Sequence, residues 1–409
     1  MTGPFLHPFA RPAARPADFI SIVRGEGATV WDDRGTAYVD ALASLWYCHV
    51  GHGRAAIAGA MVDQLRTLEA FHTFDRFTNP AAEELCVRLA ALAPMDGARV
   101  FLTSGGSEAV DTAIKLARLA LFIGGSPQRT LVISRTPSYH GVTYGAVSVT
   151  GLPLNQVGFG PLVPDVVQVP WDDLDALDAV LATRGHELAA IIAEPLIGAG
   201  GVHPPPEGYL AGLRERCDRH GGLLILDEVI CGFGRLGAWW GASRYGITPD
   251  LVTFAKGVTS GYAPLGGVLV GPAVTAPLEA DPAFVLRHGY TYSGHPTACA
   301  AANANLALLR SEGLVGRAPL IGARLSTGLR SLVDGDAVME VRGDGAVWAV
   351  ELGAGRGAPD VREELLGRGV IARPIGPTSL AFCPPLVITD AEVDRIVEAT
   401  ASAVSATAG

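Results

Sequence analysis

Leu223-Leu224-Ile225-Leu226-Asp227-Glu228-Val229 is an apolar run that ends in two carboxylates, and Asp250-Leu251-Val252-Thr253-Phe254-Ala255-Lys256-Gly257 is a second that ends in a lysine. A short apolar run without alternation suits a strand covered on both faces, as in a parallel sheet. Residues 99–103, 130–135, 189–194, 223–229, 251–255 and 267–270 all read this way, and helical patterns over 108–122 and 208–220 lie between them. Strands alternating with helices predict an α/β fold, a doubly wound, mostly parallel sheet with helices on both faces. Ligands of such sheets sit beyond the carboxyl ends of the strands.

After about Ser311 the pattern changes to a helix, short strands at 337–342 and 346–352, a helix at 359–367, a strand pair within 370–382 and a last helix from Asp390. This predicts a smaller α+β domain, completed by residues 29–38. The expected division is an N-terminal segment 1–50 that contributes to the small domain and the active-site wall, a large domain 51–310 and a small domain 311–409.

With 49% hydrophobic and 18% charged residues the chain is an ordered, well-buried protein. Its net charge of -10 argues against nucleic-acid and polybasic membrane contacts, leaving small molecules and other protein chains as partners. Cys48, Cys86, Cys217, Cys231, Cys299 and Cys383 are scattered with no metal-ligand spacing, which predicts a reduced, metal-free protein. No signal peptide or spanning segment is apparent, and the expected location is the cytoplasm. Of 31 basic residues only Lys115 and Lys256 are lysines. Arginine replaces lysine on a solvated surface but cannot form an imine, so sites for imine chemistry are few.

Three constellations carry chemistry. Thr103-Ser104-Gly105-Gly106-Ser107-Glu108 lies where a strand turns into a helix, and free amides at a helix N-terminus favour a phosphate. Asp227 ends a buried strand, where a carboxylate needs a cationic partner such as a protonated pyridine nitrogen. Lys256 ends another, where desolvation lowers its pKa toward the range in which an amine attacks a carbonyl, and Gly257 leaves room for a bulky adduct. Taken alone each has a plain alternative: a helix cap, an aspartate bonded to loop amides, a snorkelling structural lysine. Together they form a phosphate holder, a ring-nitrogen acid and an imine lysine at the strand ends of one sheet.

The segments LILDEVICGFGRLG (224–237), TPDLVTFAKGVTSGYAPLGG (248–267) and HGYTYSGHP (288–296) resemble the class III aminotransferases, in particular their ω-amino acid and amine:pyruvate branch. The similarity runs from about Thr29 to Ile388 and includes the step from Asp227 to Lys256. It implies a pyridoxal 5′-phosphate (PLP) enzyme of fold type I. By resemblance, Lys256 is the imine lysine and proton shuttle, Asp227 the partner of the pyridine nitrogen, and Val229 a contact on one ring face. Tyr139, in Ser138-Tyr139-His140-Gly141, stacks on the other face, with His140 also at the cofactor. Gly106 and Ser107 form the phosphate cup, and Thr291 reaches the phosphate from the neighbouring subunit, which implies a homodimer. Trp46 and Phe74 match the substrate pocket wall, Arg373 the grip on a substrate carboxylate, with an ordinary surface ion pair as its alternative. Glu194 matches a family glutamate whose role stays open.

Ile230 stands where the GABA and ornithine relatives carry glutamine, which counts against those two branches. Leu236 replaces a usual threonine, and the loop Gly376-Pro377-Thr378 has no strong match. The expected reaction is transamination from an amine or ω-amino acid donor to a keto acid or aldehyde acceptor such as pyruvate. Same-fold decarboxylases, racemases and aminomutases are the rivals. A silent binding protein would have no use for Lys256, Asp227 and Tyr139 together, and a nicotinamide enzyme would need the glycine fingerprint that is absent.

Overall fold

Strand Leu223–Asp227 runs through the middle of a seven-stranded sheet and is buried along its whole length. The computed structural model describes residues 3–333 and 335–407; positions 1, 2, 334, 408 and 409 of the expected segments lie outside the described residues. Across the sheet the strands follow the order Arg99–Thr103, Gly266–Val270, Leu251–Phe254, Leu223–Asp227, Leu188–Ala193, Leu131–Thr136, Val166–Pro170. Gly266–Val270 is antiparallel to both neighbours, and every other pair is parallel.

Burial on both faces removes any reason for alternation, and Leu188–Ala193 accordingly buries every position. Leu223 and Ile225 point into one apolar layer with Ala109, Ala113 and Ala117 of the helix Gly106–Ile123. Leu224 and Leu226 point into the opposite layer with Leu210, Leu213 and Cys217 of the helix Tyr209–His220. The alanine face of the first helix lets it lie close against the strands, which places its N-terminus directly beyond the end of Arg99–Thr103.

Two four-stranded sheets complete the fold. One joins Ile22–Glu26, Thr29–Asp32 and Ala37–Asp40 to Val370–Ile371, pairing Val39 with Val370 across most of the chain length. The other is antiparallel and consists of Val338–Asp344, Val347–Leu352, Ser379–Phe382 and Arg373–Ile375. The expected strand pair within 370–382 is thus three strands, split between two sheets because Ala372 separates their pairing partners. Strand Val166–Pro170 was not expected from the sequence; it is a half-buried edge strand with one partner.

Ile225 is fully buried at the centre of the main sheet. Ile225→Ala should lower the stability of the apoprotein by about 2–5 kcal/mol, seen as a lower denaturant midpoint at fixed protein concentration with unchanged slope.

Candidate active site

Strands that point the same way deliver their following residues to the same edge, and here five of them meet. Ser104–Ser107 follow Arg99–Thr103, Tyr139 and His140 follow Leu131–Thr136, Glu194 follows Leu188–Ala193, Asp227 ends Leu223–Asp227, and Lys256 follows Leu251–Phe254. Together with Gly106, Val229 and Ile230 they line a cavity of about 370 Å³.

Asp227 is 3% exposed. Its Oδ2 accepts the Nδ1–H of His140 at 2.7 Å, while Oδ1 accepts the Thr253 hydroxyl and the Val229 amide, each at 3.1 Å. A carboxylate has about four lone-pair sites, so three bonds leave one for a group in the cavity. The Val229 bond also ends the strand: the amide that would have continued the ladder turns back to Asp227 instead, and Val229 falls outside the strand expected to include it.

The amine of Lys256 has no hydrogen-bond partner among the described residues. Burial holds its pKa below the ordinary lysine value, against the opposing pull of Asp227 and Glu194. Its backbone is left-handed, with φ at 41°, a conformation that costs a non-glycine residue of order 1–3 kcal/mol and is found at functional sites. Gly257 does not make room on the cavity side as expected. A Cβ there would lie 2.5 Å from the imidazole of the buried His49, so its missing side chain is space for the core behind Lys256.

At the other end of the cavity, the amides of Gly106, Ser107 and Glu108 open the helix Gly106–Ile123 with no acceptor among the described residues. Ser107 Oγ accepts the Val142 amide at 3.0 Å, which leaves its proton to donate. Gly106 lies under Val229, whose methyl groups would be 3.1 Å from an added Cβ. Glu194 has a structural account here: Oε1 accepts the Tyr139 amide at 3.1 Å and Oε2 the Gly198 amide at 2.9 Å, which fixes the loop bearing the Tyr139 ring. Burial raises the pKa of Glu194, and the two amides oppose that.

Trp46, Phe74, Thr291 and Arg373 are not among the cavity lining. Trp46 is 2% exposed and packs with Leu42, Leu196, Ile230 and Cys231; its neighbour Tyr47 lines the cavity instead. The reason is a local backbone that no periodicity reveals: Ala43, Ser44 and Trp46 all have positive φ, with Asp40 accepting the Leu42 and Ser44 amides and an imidazole nitrogen of His52. Tyr47, Ser104 and Thr259 line the cavity and join the candidate residues. Arg373 stands beside Tyr139, and burial lowers its pKa; its guanidinium has no ion-pair partner among the described residues. Phe74 and Thr291 lie elsewhere, half-exposed or exposed, and Gly289 packs against the Phe74 ring.

A mostly parallel sheet with free helix-N-terminal amides, a strand-end aspartate and a buried lysine at one edge fits a PLP-dependent enzyme of fold type I. The aminotransferase class-III family model matches residues 11–404, and the chain belongs to that family. It is 37% identical to a β-alanine–pyruvate aminotransferase of Pseudomonas aeruginosa, over 97% of this chain and 94% of that one. It is 36% identical to a putrescine–pyruvate aminotransferase of the same organism, over 92% and 88%. The solved structure of a transaminase from the marine bacterium Virgibacillus superimposes with a TM-score of 0.96 at 36% identity, covering 99% and 97%. The cofactor is the family's, pyridoxal 5′-phosphate. The open lone pair of Asp227, the unpartnered amine of Lys256 and the free helix amides are a donor set that fits its ring nitrogen, aldehyde and phosphate.

A lowered lysine pKa means that the unfolded chain binds the proton more readily, so Lys256 destabilises the apoprotein increasingly as pH falls from about 10.5 toward its folded value. Lys256→Met removes this. The stability gap between variant and wild-type apoprotein should widen over that fall and then level off, as read by thermal melts across the pH series.

Proposed function

We propose that the chain moves an amino group from an amine or ω-amino acid to pyruvate or another small keto acid in two half-reactions, the first carbonyl product leaving before the acceptor enters. The observation that carries this reading is the unpartnered, desolvated amine of Lys256 in one cavity with Asp227. Bound PLP supplies an aldehyde that takes up an amine and an electron-poor ring that stabilises negative charge on the adjoining carbon.

Lys256 would hold the cofactor by its aldehyde, and burial lowers the pKa of its amine, which favours the neutral form. In that state Nζ accepts the proton of the substrate's amine-bearing carbon and later returns it. Asp227 would hold a proton on the ring nitrogen, with His140 fixing the carboxylate for that task. Tyr139 and Val229 would bracket the ring, with Glu194 steadying the first. Gly106 and Ser107 would bind the phosphate. Arg373, with no ion-pair partner among the described residues, receives the carboxylate of the acceptor. Trp46 supports the pocket from behind Ile230. All six cysteines are free thiols among the described residues, and no described helix is long and apolar enough to cross a membrane.

The working form is a homodimer in which Thr291 and Phe74 serve the partner's site. Support comes from their position away from their own cavity and from the exposed apolar side chains Phe9, Val142, Tyr144, Leu154 and Phe159, a surface that calls for covering.

Adding donor alone should convert the bound chromophore to the aminated form and release one carbonyl product, with no acceptor present. Lys256→Met should lose both the lysine-bound absorbance and turnover. An unchanged chromophore, or release of carbon dioxide, would overturn transamination. Arg373→Ala should raise KM for pyruvate at least about tenfold, the loss of a charged hydrogen bond worth about 1.5–3 kcal/mol, with little change for donors that lack a carboxylate.

A further inference from the structure

The second lysine of the chain is spent on a hydrogen-bonded chain with a single direction. Lys115 Nζ lies 2.9 Å from His288 Nδ1, and an ammonium only donates, so Nδ1 accepts and the imidazole proton sits on Nε2. Nε2–H then donates to Thr112 Oγ1 at 2.9 Å. The threonine's own proton is left for the Tyr290 hydroxyl at 3.2 Å, and Tyr290 donates to the carbonyl of Glu108 at 3.2 Å. Glu108, Thr112 and Lys115 stand on one face of the helix Gly106–Ile123, and the His288 ring stacks on Phe101 at 5.2 Å with 5° between planes.

Tyr290 opens a tight turn. Ser293 N–H donates to the Tyr290 carbonyl at 3.0 Å, and the Tyr290 amide donates to Ser293 Oγ at 3.2 Å. The far side of the turn is held by the Thr73 hydroxyl on the Ser293 carbonyl at 2.9 Å and by Asn79 on the Gly294 carbonyl at 2.8 Å. Thr291 sits at its exposed tip. Both feet of the turn are therefore pinned, and the foot on the His288 side is pinned to the helix whose first amides form the phosphate cup.

We propose that His288, held by Lys115, is a positioning residue for the cofactor phosphate of the partner subunit, through the turn that presents Thr291. This rests on the reading of Thr291 given above. The neutral imidazole with its proton on Nε2 is the one form that leaves the threonine proton for Tyr290 and the tyrosine proton for the Glu108 carbonyl; with Nε2 unprotonated, Thr112 turns its proton to the ring and the direction of the chain is lost. Lys115 serves as the lock on that tautomer.

The test compares apoprotein affinities for PLP and for pyridoxal, which lacks the phosphate. His288→Phe, which keeps a ring against Phe101, should weaken PLP binding about tenfold, leave pyridoxal binding unchanged, and leave kcat of the cofactor-saturated enzyme within about twofold. His288→Gln, which accepts from Lys115 and donates to Thr112, should restore the wild-type ratio. Lys115→Met, on the exposed end of the chain, should reproduce the His288→Phe pattern and decides the matter should that variant not fold. An unchanged ratio of the two affinities in both variants overturns the proposal. Thr291→Ala separates the layers: if it lowers the ratio while the other two do not, only the role of His288 fails; if it too leaves the ratio unchanged, the Thr291 reading fails and this proposal with it.

Discussion

A carboxylate buried at the end of the central strand must be satisfied from several directions at once, and the arrangement around Asp227 is what that requirement produces. Its partners come from the loop after Leu131–Thr136, from strand Leu251–Phe254 and from the turn just beyond itself. Removing any one would leave a buried charge short of a bond, at a cost of about 1–3 kcal/mol or more. The same bonds hold the ends of three strands in register with one another, and this keeps Tyr139 and Lys256 on either side of a single cavity. Glu194 does for the Tyr139 loop what Asp227 does for the sheet.

Much of this was legible in the residues. Leu223–Asp227, Leu251–Phe254 and Leu188–Ala193 announce themselves because a strand covered on both faces has no polar positions to blur its pattern. The chemistry was legible for a related reason: a carboxylate and an amine at the ends of such strands are out of place unless they have work to do. Strand Val166–Pro170 was not legible, since an edge strand with a half-wet surface and a closing proline looks like loop.

The misplacements share one cause. Trp46 is buried and Tyr47 lines the cavity because three residues with positive φ turn the chain there, held by Asp40 and His52, and nothing local in Ala43-Ser44-Leu45-Trp46 encodes it. Gly257 faces the core because His49 packs behind it, a contact that no local stretch of sequence encodes. Glu194 had no role until its two amide partners, four residues ahead and in another loop, were seen together. Side-chain identity is readable along a chain, whereas the direction in which a turn aims it is a property of distant partners.

Aminotransferases turn amines into carbonyl compounds, and a carbonyl compound condenses with a free amine wherever a protein displays one. Here the side-chain amines are two: one lines the cavity, and the other donates into an imidazole. The remaining positive charge is guanidinium, which stays protonated and forms no stable imine. A surface so poor in lysine is chemically quiet toward carbonyl compounds, so prolonged exposure to high product concentrations, or to aldehyde cross-linkers, should leave most of the molecule untouched.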